Sequence, residues 1–108
     1  MEIKSTVQGD EIILKASGRV DTTNYNDFEK SVNELLKENV KHLILDCSEI
    51  NYISSSGLRV FLTIQKTMMS RGGKFSLFSM QQGIKEIFDI SGFSSLFSIY
   101  PDLESLRK

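Results

Sequence analysis

The chain has 108 residues, of which 40% are hydrophobic and 25% are charged, the size and make-up of one ordinary domain. Thirteen basic and fourteen acidic residues leave a formal charge of -1, so no basic field exists to hold nucleic acid phosphates or an anionic membrane. Cys47 and His42 are the only cysteine and histidine, which excludes an internal disulfide and makes structural zinc very unfavourable. We therefore expect one domain over residues 1–108, with no metal, no cofactor and no direct contact with nucleic acid.

The hydrophobic residues are not arranged for export or membrane insertion. The first twelve residues contain three acids and no long apolar run, unlike a secretory signal. Elsewhere no stretch approaches the roughly 20 apolar residues of a membrane span. The sequence predicts a reduced, cytoplasmic protein that does not enter membranes.

The chain begins with the pattern of a β-hairpin. Two apolar segments, residues 2–7 and 11–17, flank Gly9 and Asp10, which are typical turn residues. This hairpin is expected at the edge of a sheet.

The next elements follow from apolar spacing. After the polar segment 21–24, apolar residues three or four positions apart predict an amphipathic helix that ends near Asn39. Residues 43–45 are continuously apolar, as in a central strand, and residues 47–53 are expected to form a loop.

The rest of the chain alternates helices and strands. A capping box formed by Ser79 and Gln82 is expected to open the third helix. Alternation of this kind requires right-handed crossovers and a mostly parallel sheet, with the first strand as the antiparallel exception. The remaining predicted elements are a second helix that stops at residues 71–73, a strand at 75–78, a third helix closed by Ser91 and Gly92, a strand at 97–100, and a short helix capped by Asp102.

Motifs of known enzyme classes are absent from this α/β pattern. Ser55 and Ser56 lack the upstream glycine of a nucleophile elbow, and the one candidate base, His42, begins a buried strand. The segment 72–74 resembles a phosphate-binding loop only superficially, because Lys74 is followed by Phe and leads into a strand. Cys47 and His42 are interpreted as structural. We expect a protein that is not an enzyme.

The segment ISSSGLRVF is the strongest candidate site. Ser54, Ser55 and Ser56 lie at or around the N-cap of the second helix. They could be redundant caps. Alternatively, the free N–H groups and the positive end of the helix dipole could accept a phosphoryl group without unfolding the domain. Its added charge would then act on a partner docked over this surface.

At these residues the sequence resembles a STAS domain of the anti-sigma factor antagonist type. The resemblance rests on GRVDTTN before the first helix, on LILDCS, ISSSGLRVF and GGKFSLF, and on the helix end IFDISGF. It implies a single α/β domain with a mixed, mostly parallel sheet of four or five strands, an N-terminal β-hairpin, and helices largely on one side.

The family motif Asp-Ser-Ser-Gly matches residues 54–57, which implies phosphorylation at Ser55. Ser54 replaces the usual acid, and Ser54 and Ser56 remain alternative acceptors. Asp21 matches an acid in the family's first βα loop, although a helix-cap role is as consistent with its position. The expected partner-binding residues are Asp21, Thr22, Thr23, Asn24, Ser54, Ser56, Gly57 and Arg59.

The resemblance implies a protein that binds an anti-sigma factor serine kinase when unphosphorylated and releases it when phosphorylated, so that a sigma factor becomes free for transcription. A PP2C-like serine phosphatase would reset the switch. A second possibility is an accessory subunit of a lipid-transport ABC ATPase without a phospho-switch. A module of a larger stress-sensing assembly ranks third.

Overall fold

A five-stranded sheet in the order β1-β2-β3-β4-β5 organises the computed structural model, which describes residues 1–36 and 39–108. β1 runs antiparallel to β2, and every other neighbouring pair is parallel. The predicted mixed sheet with a hairpin at its edge is confirmed. The strands are β1 (Glu2–Gln8), β2 (Glu11–Val20), β3 (His42–Ile53), β4 (Lys74–Phe78) and β5 (Ser98–Tyr100).

The helices follow the predicted order. Asp102 caps the last helix as expected, because its side chain accepts a hydrogen bond of 2.7 Å from the Ser105 amide. A short 3-10 helix, Phe93–Leu96, was not anticipated. The α-helices in the described ranges are α1 (Tyr25–Leu35), α2 (Ser55–Ser70), α3 (Gln82–Ile90) and α4 (Leu103–Arg107).

One face of the sheet packs against α1, α2 and α3. Phe61 of α2 lies at the centre of this core, and its ring centroid is 5.8 Å from that of Phe28 in α1 and 6.0 Å from that of Phe88 in α3. Leu43 and Leu45 of β3 project into the same core and are fully buried. Burial of each such side chain contributes roughly 2 kcal/mol, so this layer fixes α2 on the sheet.

α4 packs on the opposite face of the sheet. Arg107 donates two hydrogen bonds, of 2.9 and 2.7 Å, to the carboxylate of Glu11 at the start of β2. Ile44 projects from β3 on this face and is also fully buried. Three helices on one face and the short α4 on the other agree with the expectation that helices lie largely on one side.

β3 is longer than the sequence predicted. Residues 47–53 form the second half of the strand, whereas the sequence analysis assigned them to a loop. They pair with β2, where Ser17 lies opposite Glu49 and Val20 lies opposite Ile53. The polar sequence of this segment resembles a loop, but its backbone groups are satisfied by the neighbouring strand, with two register shifts.

Two predicted helix boundaries were also wrong. α1 ends at Leu35 rather than near Asn39, and residues 37 and 38 lie outside the described part of the chain. The capping box does not form, because the N-cap of α3 is Gln81. Ser79 instead adopts a φ of 60°, and its hydroxyl donates a hydrogen bond of 3.2 Å to the Pro101 carbonyl. A contact with the end of β5 therefore overrides the local capping pattern.

Candidate protein-binding site at the start of α2

The site lies where β2 and β3 end beside each other and α2 begins. Val20 pairs with Ile53, and the next amide, that of Ser54, donates a hydrogen bond of 2.8 Å to the Val20 carbonyl. This bond fixes the start of α2 to the end of β2. The loop 21–24 and the serine segment, which are 30 or more positions apart in sequence, are thereby brought to the same edge of the sheet.

Gly57 permits this close approach of helix and strand. A Cβ atom at this position would lie 2.8 Å from Val20 Cγ1, 2.9 Å from Ile53 Cγ1 and 3.0 Å from the Val20 carbonyl oxygen. The tight packing is therefore within the chain itself, and Gly57 is buried. Its predicted contact with a partner stays a prediction.

The three serines occupy different environments, which the sequence could not distinguish. Ser54 is the N-cap, and its hydroxyl accepts a hydrogen bond of 3.1 Å from the Gly57 amide. Ser56 is partly buried in the first turn of α2. Ser55 is the first helical residue and is exposed. Within the ranges 1–36 and 39–108, the hydroxyls of Ser55 and Ser56 have no hydrogen-bond partner, and Ser55 is the more exposed of the two residues.

The first turn of α2 is suited to an added negative charge. The amides of Ser55 and Ser56 have no acceptor among the residues that the structure describes. No acidic side chain lies in this turn, and the helix is 16 residues long. The positive end of its dipole is therefore not compensated by a carboxylate, and an anion placed there would be stabilised rather than repelled.

The Asp21 loop is held by hydrogen bonds between its own residues. The Asp21 carboxylate accepts hydrogen bonds from the Thr23 hydroxyl at 2.6 Å and the Thr23 amide at 3.0 Å, and from Arg19 at 3.2 Å. These contacts, chiefly those with Thr23, hold the pKa of Asp21 below its ordinary value. Asn24 closes the loop by accepting from the Asp21 amide at 2.9 Å and donating to the Arg19 carbonyl at 2.8 Å.

Asp21 therefore organises the loop rather than capping α1. The N-cap of α1 is Asn24, and its side chain makes no capping bond to the helix. The other predicted partner-binding residues of this loop, Thr22 and Thr23, are exposed beside it. Arg59 is exposed on the first turn of α2. The exposed members of the predicted partner-binding set therefore lie around one edge of the sheet.

Sequence analysis missed two residues at this edge. The guanidinium of Arg19 lies 4.2 Å from the centroid of the Tyr52 ring, which is within the range of a cation–π contact. Tyr52 is 39% exposed. Because residues 47–53 were assigned to a loop, the pairing that sets Arg19 beside Tyr52 was not foreseen.

The residues interpreted as structural lie away from this edge. Cys47 is buried in the core, and this burial raises the pKa of its thiol far above the ordinary value. His42 lies at the opposite end of β3. Among the described residues, no group of three or more His, Cys, Asp or Glu side chains is placed to hold a metal ion. No helix in those ranges has the length and apolar character needed to cross a bilayer.

Comparisons with known proteins agree with the geometry. The STAS domain family model matches residues 2–106. BtrV of Bordetella bronchiseptica, classed among the anti-sigma factor antagonists, is 31% identical over 88 residues, covering 82% of this chain and 76% of BtrV. BtrV and other relatives are named for regulatory binding rather than for an enzymatic reaction.

Solved structures show the same fold. A crystal structure from Thermotoga maritima, of a protein classed in the same way, superposes with a TM-score of 0.90 at 24% identity, covering 97% of this chain and 91% of that one. The anti-sigma factor antagonist SpoIIAA in its unphosphorylated form gives 0.80 at 14% identity, covering 97% and 93%. The chain belongs to the STAS domain family, as its motifs predicted.

Proposed function

We propose that this protein is a phosphorylation-switched anti-sigma factor antagonist. In the unmodified state it binds an anti-sigma factor serine kinase through the Asp21 loop and the first turn of α2. Phosphorylation of Ser55 by that kinase releases the partner. The observation that carries the proposal is the exposed, unpartnered hydroxyl of Ser55 at a helix start whose cap is already supplied by Ser54.

The surroundings of Ser55 favour a switch that acts on the partner and not on the fold. A phosphoserine carries about -1.5 to -2 charges at neutral pH, and the free amides at the start of α2 can donate hydrogen bonds to its oxygens without rearrangement. SpoIIAA, which shares this fold, is known in both unphosphorylated and phosphorylated forms. We expect the phosphorylated domain to keep its fold and its stability.

The same charge is unfavourable for a docked partner. The exposed loop residues Thr22 and Thr23 are neutral, and the charged groups at this edge are the Arg19–Asp21 pair and Arg59, so the unmodified surface has no excess of negative charge. A phosphate introduces bulk and a charge that the partner must either desolvate or neutralise. Loss of affinity on phosphorylation follows from this cost.

The replacement of the usual acid by Ser54 is compatible with the proposal. The Ser54 hydroxyl is occupied by the Gly57 amide, so it caps α2 in place of a carboxylate. It is consequently a poorer phosphate acceptor than Ser55. In this scheme a PP2C-like serine phosphatase restores the unmodified state, in the cytoplasm, and the whole chain acts as one domain.

Phosphate mapping tests the acceptor. The protein and its Ser55→Ala and Ser56→Ala variants are incubated with the cognate anti-sigma factor kinase and ATP, and phosphopeptides are identified by mass spectrometry. We expect Ser55→Ala to abolish phosphate uptake and Ser56→Ala to retain it. Uptake by Ser55→Ala at the rate of the unmodified chain would overturn the assignment.

Binding measurements test the switch itself. Ser55→Asp should weaken binding of the anti-sigma factor at least about tenfold, a cost on the order of 1.4 kcal/mol, while leaving the thermal midpoint unchanged. Ser70→Asp, an exposed serine at the far end of α2, is the matched control and should bind normally. Equal affinity of Ser55→Asp and the unmodified protein would instead favour an accessory role without a phospho-switch.

A further inference from the structure

A cavity of about 300 Å³ opens at the amino ends of β3, β4 and β5. It begins beside His42, the first residue of β3, whereas Ser55 lies two residues beyond Ile53, the last residue of that strand. The 12 residues of β3 separate the two places, and no residue of the loop 21–24 or of the segment 54–57 lines the cavity. The cavity is therefore separate from the proposed protein-binding site.

The polar lining of the cavity offers hydrogen-bond donors and a positive charge. Lys74, Ser98 and Tyr100 line it, together with the His42 and Ser76 pair. No carboxylate is among its described lining residues. In the ranges 1–36 and 39–108, Lys74 forms no ion pair, and the hydroxyls of Ser98 and Tyr100 have no internal partner. These groups remain available to a ligand.

His42 forms a fixed part of the wall. Its Nε2 lies 2.8 Å from the hydroxyl of Ser76, which is only 3% exposed. Burial, with smaller effects from Lys74 and Arg107, lowers the pKa of His42, against opposing effects of Glu11 and Asp10. Arg107 pairs with Glu11, so the negative charge that Glu11 presents near the imidazole is partly offset.

Part of the remaining lining is apolar and suits the body of a small organic molecule, whereas Gln65, which also lines the cavity, donates a hydrogen bond of 2.6 Å to the Leu96 carbonyl. Met69 is 66% exposed, which is high for such a side chain, and it flanks the cavity from α2. Leu106 of α4 also lines the cavity. A volume near 300 Å³ lies at the lower end of the range for ligand pockets, which limits the ligand to a few rings or a short chain.

We propose that this cavity binds a small organic anion. Its phosphate or carboxylate group pairs with Lys74 and accepts hydrogen bonds from Ser98 and Tyr100, and its apolar part packs against Met69 and Leu106. The site does not depend on the phospho-switch, since none of its lining residues belongs to the Asp21 loop or the first turn of α2.

Phenyl phosphate is a suitable probe because it combines a phosphate with one ring. Its binding is followed through the imidazole NMR signals of His42, which are unambiguous because the chain has one histidine. We expect a saturable shift with a dissociation constant on the order of 1 mM, the affinity typical of so small a ligand. The bound anion should also raise the pKa of His42, because negative charge favours the protonated imidazole.

Lys74→Met is the decisive variant, and Lys66→Met is its matched control on an exposed position of α2 outside the lining. We expect Lys74→Met to weaken binding at least tenfold and Lys66→Met to leave it unchanged. Phenol, which has the ring without the charge, should not produce the saturable shift.

Each of the following results would overturn the proposal: no saturable shift of His42 at tens of millimolar phenyl phosphate, equal binding by Lys74→Met, or an equal response to phenol. Shifts confined to the amides at Ser55 and Ser56 would place the anion at the other site and would also overturn it. Ser55→Ala should bind phenyl phosphate normally, so failure of the phospho-switch and failure of this site are distinguishable.

Discussion

The two ends of β3 differ in how their polar groups are satisfied. At the carboxyl end, Asp21 bonds to Thr23, and Ser54 bonds to Gly57. At the amino end, Lys74 lines an open cavity and, in the described part of the chain, pairs with no carboxylate. At the carboxyl end, internal hydrogen bonds hold the loop and cap the helix while the Ser55 hydroxyl stays exposed, whereas the cavity at the amino end is lined by donors that have no internal acceptor among the described residues.

This difference shows how one strand can support two kinds of recognition. A protein partner needs a surface whose shape is fixed before binding, and the bonds within the loop 21–24 provide it. A small ligand needs groups whose bonding capacity is still unused, in a concave place. Both follow from the register of β3, which joins the end of β2 at one end and the start of β4 at the other.

Gly57→Ala should destabilise the carboxyl end of β3 more than the other substitutions. The new Cβ would meet Val20 and Ile53 at under 3.0 Å, and overpacking of this kind costs about 1–3 kcal/mol. Higher helix propensity of Ala offsets up to about 1 kcal/mol of that cost. We expect a net loss of about 1–2 kcal/mol in the free energy of unfolding, measured by urea denaturation.

Gly83→Ala is the matched control for that prediction. Gly83 is also in the first turn of a helix, α3, but a Cβ there would meet no atom within 4 Å. It should raise the stability by about 0.5 kcal/mol through propensity alone. A Gly57→Ala variant as stable as Gly83→Ala would show that the junction of β2 and α2 can shift to accommodate a Cβ atom. The surface at this edge would then not be rigid.

Ser54→Ala should have a smaller effect at the same end. It removes the only side-chain cap of α2, which costs about 1 kcal/mol of stability. Ser55→Ala removes a hydroxyl without an internal partner and should change stability by less than about 0.5 kcal/mol. The same urea measurement distinguishes them. Equal losses in the two variants would contradict the division between a structural Ser54 and a free Ser55.

Local pattern predicted the elements that depend on nearby residues. The apolar spacing that places Phe61 and Met68 on the core face of α2 is visible in the sequence, and both are buried. The stop at Gly72, which has a φ of 72°, was likewise predicted. These features follow from helix periodicity and from the tolerance of glycine for positive φ, neither of which needs knowledge of distant strands.

Features that depend on distant residues were missed. The strand character of 47–53 comes from pairing with β2, and the conformation of Ser79 comes from its contact with Pro101. The candidate site shows the same limit, because the sequence identified the three serines without separating the cap from the free hydroxyl. That separation depends on which oxygen reaches the Gly57 amide, a detail of side-chain placement at one helix start.

The smallest expected effect is a pH-dependent change in stability that arises from His42 at the amino end of β3. Burial lowers the pKa of His42 below its ordinary 6.5, so the folded protein binds a proton there less readily than the unfolded chain. The stability that the fold gains by burying the neutral imidazole is therefore fully present above pH 6.5. It is lost as the pH falls through the pKa of His42 in the folded protein. His42→Gln, which can still bond to Ser76, has no such dependence.

The stability difference between the unmodified protein and His42→Gln should consequently move against the unmodified protein as the pH is lowered from 7 to 5. The change should be smaller than that of Ser54→Ala, because solvent screens a half-buried imidazole. Urea denaturation at each pH measures the difference, and NMR titration of His42 gives its pKa directly. A difference that moves in favour of the unmodified protein on acidification would mean that a carboxylate, Glu11 or Asp10, dominates the imidazole. The positive electrostatic potential inferred for the cavity would then not extend to His42.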